Sequence, residues 1–289
     1  MDATDLLKRV RQIEIKTRGL SSNIFAGEYH SAFKGRGMTF SEVREYQYGD
    51  DIRNIDWNVT ARHNHPYVKV FEEERELTVM LLVDVSASRN FGTVSKLKKN
   101  QITEIAAVLA FSAMLNNDKI GVIFFSDQIE KFIPPKKGKT HILHIIRELI
   151  DFTPESKKTN IAVALEYLTN SIKKRCTCFV LSDFMDENNF DHALSIANRK
   201  HDVIALRVYD QRETELPPVG LIYLRDAETD RKIWVDTSDK NVRENYRKYQ
   251  FIKEKELISS LKKAGVDSAM ISADEDYVRE LMKLFKKRA

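Results

Sequence analysis

Apolar and polar positions follow two textures along this chain. From Glu76 onward, short apolar runs alternate with longer segments whose apolar positions recur every three or four residues. The runs "ELTVMLLVD", "KIGVIFFS", "CTCFVLSD", "HDVIALRVYD" and "VDSAMISA" predict strands, with a shorter strand at "QIEKFIPP" beside the second. The segments "SKLKKNQITEIAAVLAFSAMLNND", "KTHILHIIRELIDF", "NIAVALEYLTNSIKK", "NFDHALSIANRK", "DKNVRENYRKYQFIKEKELISSLKKAG" and "EDYVRELMKLFKKR" predict helices, the fifth closed by Gly265. In "LIYLRDAETDRKIWVD" two strand-like runs flank a polar turn, which predicts a hairpin insertion. Near-continuous apolar strands separated by helices imply an α/β fold with a mostly parallel sheet buried on both faces. Right-handed crossovers make such a sheet open and doubly wound. Its ligands bind outside the carboxyl ends of the strands.

The first 75 residues differ. Residues 2–20 place Leu, Val and Ile at helical spacing among charges and predict a first helix. Residues 21–75 are rich in charge, aromatics and glycine but show little periodicity, and they are too long for a plain loop. They predict a small irregular subdomain held by Phe, Tyr and Trp, with its polar groups paired to one another. The expected organisation is therefore 1–75, a helix plus this subdomain, and 76–289, the α/β domain.

Composition narrows the function classes. Hydrophobic residues make up 42% of the 289, enough for a proper core. Lys plus Arg number 47 against 43 Asp plus Glu, a net charge of +4 that is too balanced to argue for nucleic acid. The basic "KLFKKRA" suits the negative end of a helix dipole. The two cysteines, Cys176 and Cys178, are too close for an ordinary disulfide and have no second pair to complete a zinc site, so they read as reduced, buried thiols. The N-terminus has no apolar signal core, and no apolar run approaches the roughly 18 residues of a membrane span. A cytoplasmic protein is expected.

The candidate chemistry begins at "VMLLVDVSASRN", where an apolar run stops on Asp84 and is followed by Ser86 and Ser88. Thr159 precedes a predicted helix, and Asp183 follows a predicted strand. These positions belong to one edge of the sheet. Carboxylate and hydroxyl oxygens without His or Cys suit a hard cation: Mg²⁺, or another divalent ion such as Mn²⁺. Ser88 and Thr159 are equally good helix caps, so capping competes with coordination at each position taken singly. Other signals carry less. "HNH" at His63–His65 is followed by a strand-like run and lacks a nuclease's further ligands; "GRG" at 35–37 is no phosphate loop; His141 and His144 share a helix face without a partner motif.

The set Asp84, Ser86, Ser88, Thr159 and Asp183 resembles the metal-ion-dependent adhesion site of the von Willebrand factor A fold. The resemblance covers residues 76–289. It implies that the serines and threonine bind the metal directly or through water, that the aspartates complete the shell, and that a partner protein's carboxylate fills the open position. Many members have Asp-Gly in the third loop, where this chain has Asp183 and Phe184.

The front section, "GRGMTFSEVREYQYGDDIRNIDWNVTARHNHPYVKVFEEE", resembles the signature of the bacterial family called domain of unknown function 58. The matching residues are Gly35, Gly37, Phe40, Arg44, Tyr46, Gly49, Asp50, Asp51, Arg53, Ile55, Asp56, Trp57, Ala61 and Arg62. Physically, Arg44, Arg53 and Arg62 match Asp50, Asp51 and Asp56 in number, and Arg forks bind carboxylates bidentately. Such a cluster reads as a brace between the irregular section and the sheet; the alternative is a surface for a partner or an anionic ligand. The resemblance implies a non-enzymatic interaction module working with a MoxR-type AAA+ ATPase. A magnesium-dependent phosphohydrolase using Asp84 or Asp183, and a structural domain with a vestigial ion site, stand as alternatives.

Overall fold

The computed structural model describes residues 11, 39–63, 65–72, 77–87, 98–186, 188–225 and 231–288. Apart from Arg11, which is helical, the expected helix over 2–20 lies outside them, as do Gly35, Gly37 and Ser88. The chain divides into two compact units, with a break between Leu77 and Thr78.

In the smaller unit, β1 (Thr39–Glu45) pairs antiparallel with β2 (Tyr67–Glu72), the register shifting between Phe40 and Glu42. β2 falls on the run read as strand-like, whereas β1 was not expected. "TFSEVRE" alternates poorly because a bulge interrupts it, so its period of two is hidden. Between the strands come a turn at Gly49, with φ of 106°, a 3-10 turn at Ile52–Asn54, and the short helix α1 (Trp57–His63). Gly49 is required there, because a side chain at that φ is strained. Of the expected aromatic contacts, Tyr46 and Tyr67 are half-buried, with the Tyr67 ring 5.3 Å from that of His63, whereas Tyr48 is fully exposed and Trp57 is 70% exposed. A strand ladder, local caps and ion pairs also join its described residues.

The larger unit is built on a six-stranded sheet in the order β10-β7-β6-β3-β4-β5. Its strands are β3 (Thr78–Asp84), β4 (Lys119–Phe125), β5 (Ile129–Lys136), β6 (Thr177–Ser182), β7 (Asp202–Tyr209) and β10 (Asp267–Ser272). All neighbours are parallel except β4 and β5. The antiparallel β5 is an edge strand, and its Pro134 and Pro135 sit where missing N–H donors harm the ladder least. Val79–Val83 in β3 have no exposed surface, as a central strand covered on both faces requires. Each such side chain contributes about 1.5–3 kcal/mol by leaving water.

The helices are α2 (Lys98–Leu115), α3 (Lys139–Asp151), α4 (Ile161–Ser171), α5 (Asp191–Lys200), α6 (Gln211–Thr214), α7 (Lys240–Lys263) and α8 (Tyr277–Arg288). α2 packs with α3, and α4 with α5. Met80 and Leu82 of β3 join Ile161, Leu165, Leu194 and Leu261 in one apolar cluster. The predicted hairpin is present: β8 (Leu221–Arg225) pairs with β9 (Lys232–Asp236), and the rings of Tyr223 and Trp234 meet at 4.8 Å. The short α6 was not predicted. Its capping box, Asp210 with Glu213, is visible in the sequence.

From β3 the chain runs outward through β4 and β5, then crosses to the other side of β3 for β6, β7 and β10. The strand order therefore reverses between β3 and β6, the place where open α/β sheets bind ligands.

Candidate metal centre

Asp84 ends β3, and Asp183 immediately follows β6. The pairing of Val83 with Leu181 puts Asp84 level with Ser182, so the two aspartates flank the switch point. The loops there are joined by hydrogen bonds. Ala87 N–H donates to the Lys157 carbonyl (3.1 Å), tying the loop after β3 to the one before α4. Asn160 N–H donates to the Ser126 carbonyl (3.0 Å) at the end of β4. Asp186 in the loop after β6 accepts from Ile161 N–H at 2.7 Å, and Asn188 donates to the Thr159 carbonyl at 3.3 Å. Ser182 Oγ donates to Asp84 Oδ2 at 2.6 Å. Asp84, Ser86, Thr159 and Asp183 thus belong to three loops stitched into one edge.

The question of cap against coordination has a partial answer. Asn160, not Thr159, caps α4: its side chain accepts from Val163 N–H at 3.3 Å. The Thr159 hydroxyl is not needed for that role. The departure at the third loop is also accounted for. Phe184 adopts φ of 57°, a left-handed backbone that glycine takes easily and phenylalanine does not. It is held there by donation from its N–H to Ser182 Oγ (3.0 Å) and by a buried ring lying 6.2 Å from that of Phe190. The loop keeps its turn without a glycine.

All four described donors are buried: Asp84 is 2% exposed, Ser86 0%, Thr159 4% and Asp183 4%. Burial, together with the negative charge of Asp183, pushes the Asp84 carboxyl up to about 6, against the opposing hydrogen bonds from Ser182 and Ser86. Two buried carboxylates that repel one another fit a cation between them. The donor set holds only oxygen, and among the described residues no three His, Cys, Asp or Glu side chains converge as a metal cluster. The residues fit a hard ion held partly through hydroxyls and water, not a zinc-type thiolate or imidazole site.

Sequence reasoning missed Lys98. It is 1% exposed, and its ammonium lies 2.9 Å from Asp183 Oδ2 and 2.5 Å from Glu213 Oε1. A signal for it exists. Lys98 shares the stripe of Gln101, Ile102 and Ile105 on α2, which buries its first turn. Ser182, Asp186 and Glu213 were also missed. Arg207 adds a donation from Nε to the Asp183 carbonyl at 3.2 Å.

Other candidates resolve into structural roles. His141 Nε2 lies 2.9 Å from the Ile120 carbonyl, and His144 is near Glu148. Cys176 and Cys178 are free and buried. A cavity of about 560 Å³, lined by Tyr209, Glu215, Arg247 and Phe251 among others, contains none of the predicted donors. In the smaller unit, Arg44 binds Asp50 bidentately at 2.8 and 2.7 Å, and Arg53 lies 3.0 Å from Asp51. Asp56 does not pair with Arg62 as the count of charges implied. It accepts from Asn58 and Val59 N–H at the start of α1 and lies 3.5 Å from Lys69. Arg62 stands exposed at the far end of α1, where a cation suits the dipole. Tyr46 is half-buried, and its N–H donates to the Pro66 carbonyl at 2.9 Å.

A family model described as "Protein of unknown function DUF58" matches residues 42–256, beginning in β1 and ending within α7. The chain belongs to the DUF58 family. An uncharacterized protein of Mycobacterium tuberculosis is 27% identical over 292 residues, spanning 100% of this chain and 91% of its own. The uncharacterized protein YeaD of Bacillus subtilis is 25% identical over 131 residues, 45% of this chain and 29% of YeaD. Among solved structures, an aerotolerance-related membrane protein from Bacteroides fragilis matches with a TM-score of 0.50 and 17% identity, over 73% of this chain and 98% of that one. That likeness shows the fold alone. With the strand order, it gives this DUF58 protein the von Willebrand factor A-like, Rossmann-like architecture that its residues implied. Among the described residues, no helix is long and apolar enough to cross a membrane.

Proposed function

We propose that this DUF58 protein is a non-enzymatic interaction module. It binds a divalent cation, Mg²⁺ or Mn²⁺, through Asp84, Ser86, Ser88, Thr159 and Asp183, and a partner's Asp or Glu completes the coordination. The observation that carries this reading is the stitched edge at the switch point, where the buried Asp183 raises the charging cost of the buried Asp84 beside hydroxyl donors. The family resemblance points to a MoxR-type AAA+ ATPase as the partner. On this reading the Arg44–Asp50 and Arg53–Asp51 pairs keep the turn of the smaller unit in shape.

The test uses the full chain and a purified MoxR-type ATPase. Capture is expected in Mg²⁺ and is expected to disappear in EDTA and in Asp84→Ala. Binding that persists unchanged in EDTA rules out the metal bridge. Turnover of a generic phosphate ester that is lost in Asp84→Ala would make the protein a phosphohydrolase instead.

Two observations favour a second reading, a structural domain with a vestigial ion site. The donors are buried, and Lys98 already supplies Asp183 with a cation. Absence of Mg²⁺ or Mn²⁺ binding to the wild-type chain by calorimetry would decide for it.

A further inference from the structure

Lys98 has an ammonium almost wholly removed from water, and such a charge is costly unless a carboxylate faces it. It has two. One is Asp183, the other Glu213 of α6. The two seats differ. Asp183 Oδ1 is committed to its own loop, accepting from Met185 N–H at 3.1 Å, so Lys98 takes the other oxygen, Oδ2. Glu213 is fixed independently of the metal edge. Its Oε2 accepts from Asp210 N–H at 3.0 Å in the capping box, and its carbonyl accepts from the Tyr246 hydroxyl at 2.9 Å. Glu213 is therefore a prepared seat, and an ammonium with three donors can keep it while giving up Asp183.

We propose that Lys98 sets the cation affinity of this edge: its ammonium and a divalent ion compete for Asp183, and Glu213 holds the ammonium when the ion is bound. The proposal rests on the metal-binding reading above. It explains how one buried edge is tolerable with and without an ion, since Asp183 faces a positive charge in both states. It also makes Lys98 a tuning residue rather than a ligand.

Competition of this kind predicts opposite signs from two substitutions. Lys98→Met frees Asp183 and should tighten Mg²⁺ binding by about tenfold, within the range of ordinary coupling free energies. Glu213→Gln weakens the second seat, leaves the ammonium on Asp183, and should loosen Mg²⁺ by a similar factor. A merely structural role would lower stability in both and move the affinity of both the same way. The measurement is calorimetric titration of the full chain with Mg²⁺ alone, repeated with Mn²⁺ followed by electron paramagnetic resonance, with Asp84→Ala as the control. Tighter binding in Lys98→Met and weaker binding in Glu213→Gln is the expected result. Wild-type affinity in both variants, or a loss in both, overturns the competition and leaves the metal reading standing. Failure of every protein to bind either ion overturns both, whereas binding by Lys98→Met alone supports competition in its extreme form. If Lys98→Met does not fold, Glu213→Gln carries the test, and unchanged or tighter binding by it refutes the proposal.

Discussion

Without an ion, Asp84 should be a residue that the fold keeps at the expense of stability. Its carboxyl stands at about 6 against an ordinary 3.8, because it is buried beside Asp183. The ionised form therefore costs about 3 kcal/mol more in the folded protein than in the unfolded chain at pH 7. Asp84→Asn removes that charge with almost no change of shape. The substitution has a cost of its own. Ser86 N–H donates to Oδ1 at 2.9 Å and the Ser182 hydroxyl to Oδ2 at 2.6 Å, and an asparagine retains only one acceptor. Re-pairing Ser182 costs about 1 kcal/mol. The variant should thus be more stable than wild type by about 1–2 kcal/mol in EDTA at pH 7, or a rise of several degrees in Tm. The pH dependence has a definite sign. A raised native pKa means that the native state holds a proton which the unfolded chain has released. This carboxyl's stabilising contribution is full below about 3.8 and is lost as pH rises through about 6. Between pH 5 and 7 the metal-free wild type should lose stability that Asp84→Asn does not lose. Saturating Mg²⁺ should reverse the ranking, since only the carboxylate gains from the ion. Thermal and urea unfolding at both pH values, each with EDTA and with Mg²⁺, measure all four conditions. An Asp84→Asn protein that is less stable than wild type in EDTA, with an unchanged pH profile, would refute the charge argument.

The cap assignment at α4 predicts that Asn160→Ala lowers the unfolding free energy by about 1 kcal/mol in urea, because the bond to Val163 N–H is lost. Thr159→Val should leave that cap bond intact; a Thr159 variant as damaging to α4 as Asn160→Ala would return Thr159 to the capping role. Gly121→Ala should destabilise by about 1–3 kcal/mol. Its Cβ would lie 2.8 Å from the Ile133 carbonyl oxygen and 2.9 Å from Met80 Sδ, on two neighbouring strands that cannot both retreat. Equal denaturant midpoints for the variant and wild type would show that β4 and β5 have slack there.

Much of the larger unit was legible because its elements announce themselves locally. The run "VMLLVD" can be satisfied only by a central strand, and Lys240–Lys263 carries its own N-cap in Asp239 and its own stop in Gly265. The smaller unit was less legible. The bulge at Phe40–Glu42 hides the period of β1, and a charge count cannot tell that Asp56 spends Oδ1 on the start of α1 and turns Oδ2 to Lys69 rather than to Arg62.

What the sequence determined by itself was therefore the order and type of the elements, and the oxygen chemistry gathered at one edge. Periodicity and capping act over a few residues, and so they survive in a linear reading. The tertiary structure decided who meets whom. Ser182 reaches Asp84 across 98 residues, Lys98 reaches Asp183 across 85, and Lys98 reaches Glu213 across 115. Those meetings follow from the reversal of strand order at β3, which brings the ends of distant strands side by side. They also follow from burial, which forces an ammonium and a carboxylate without water to find each other.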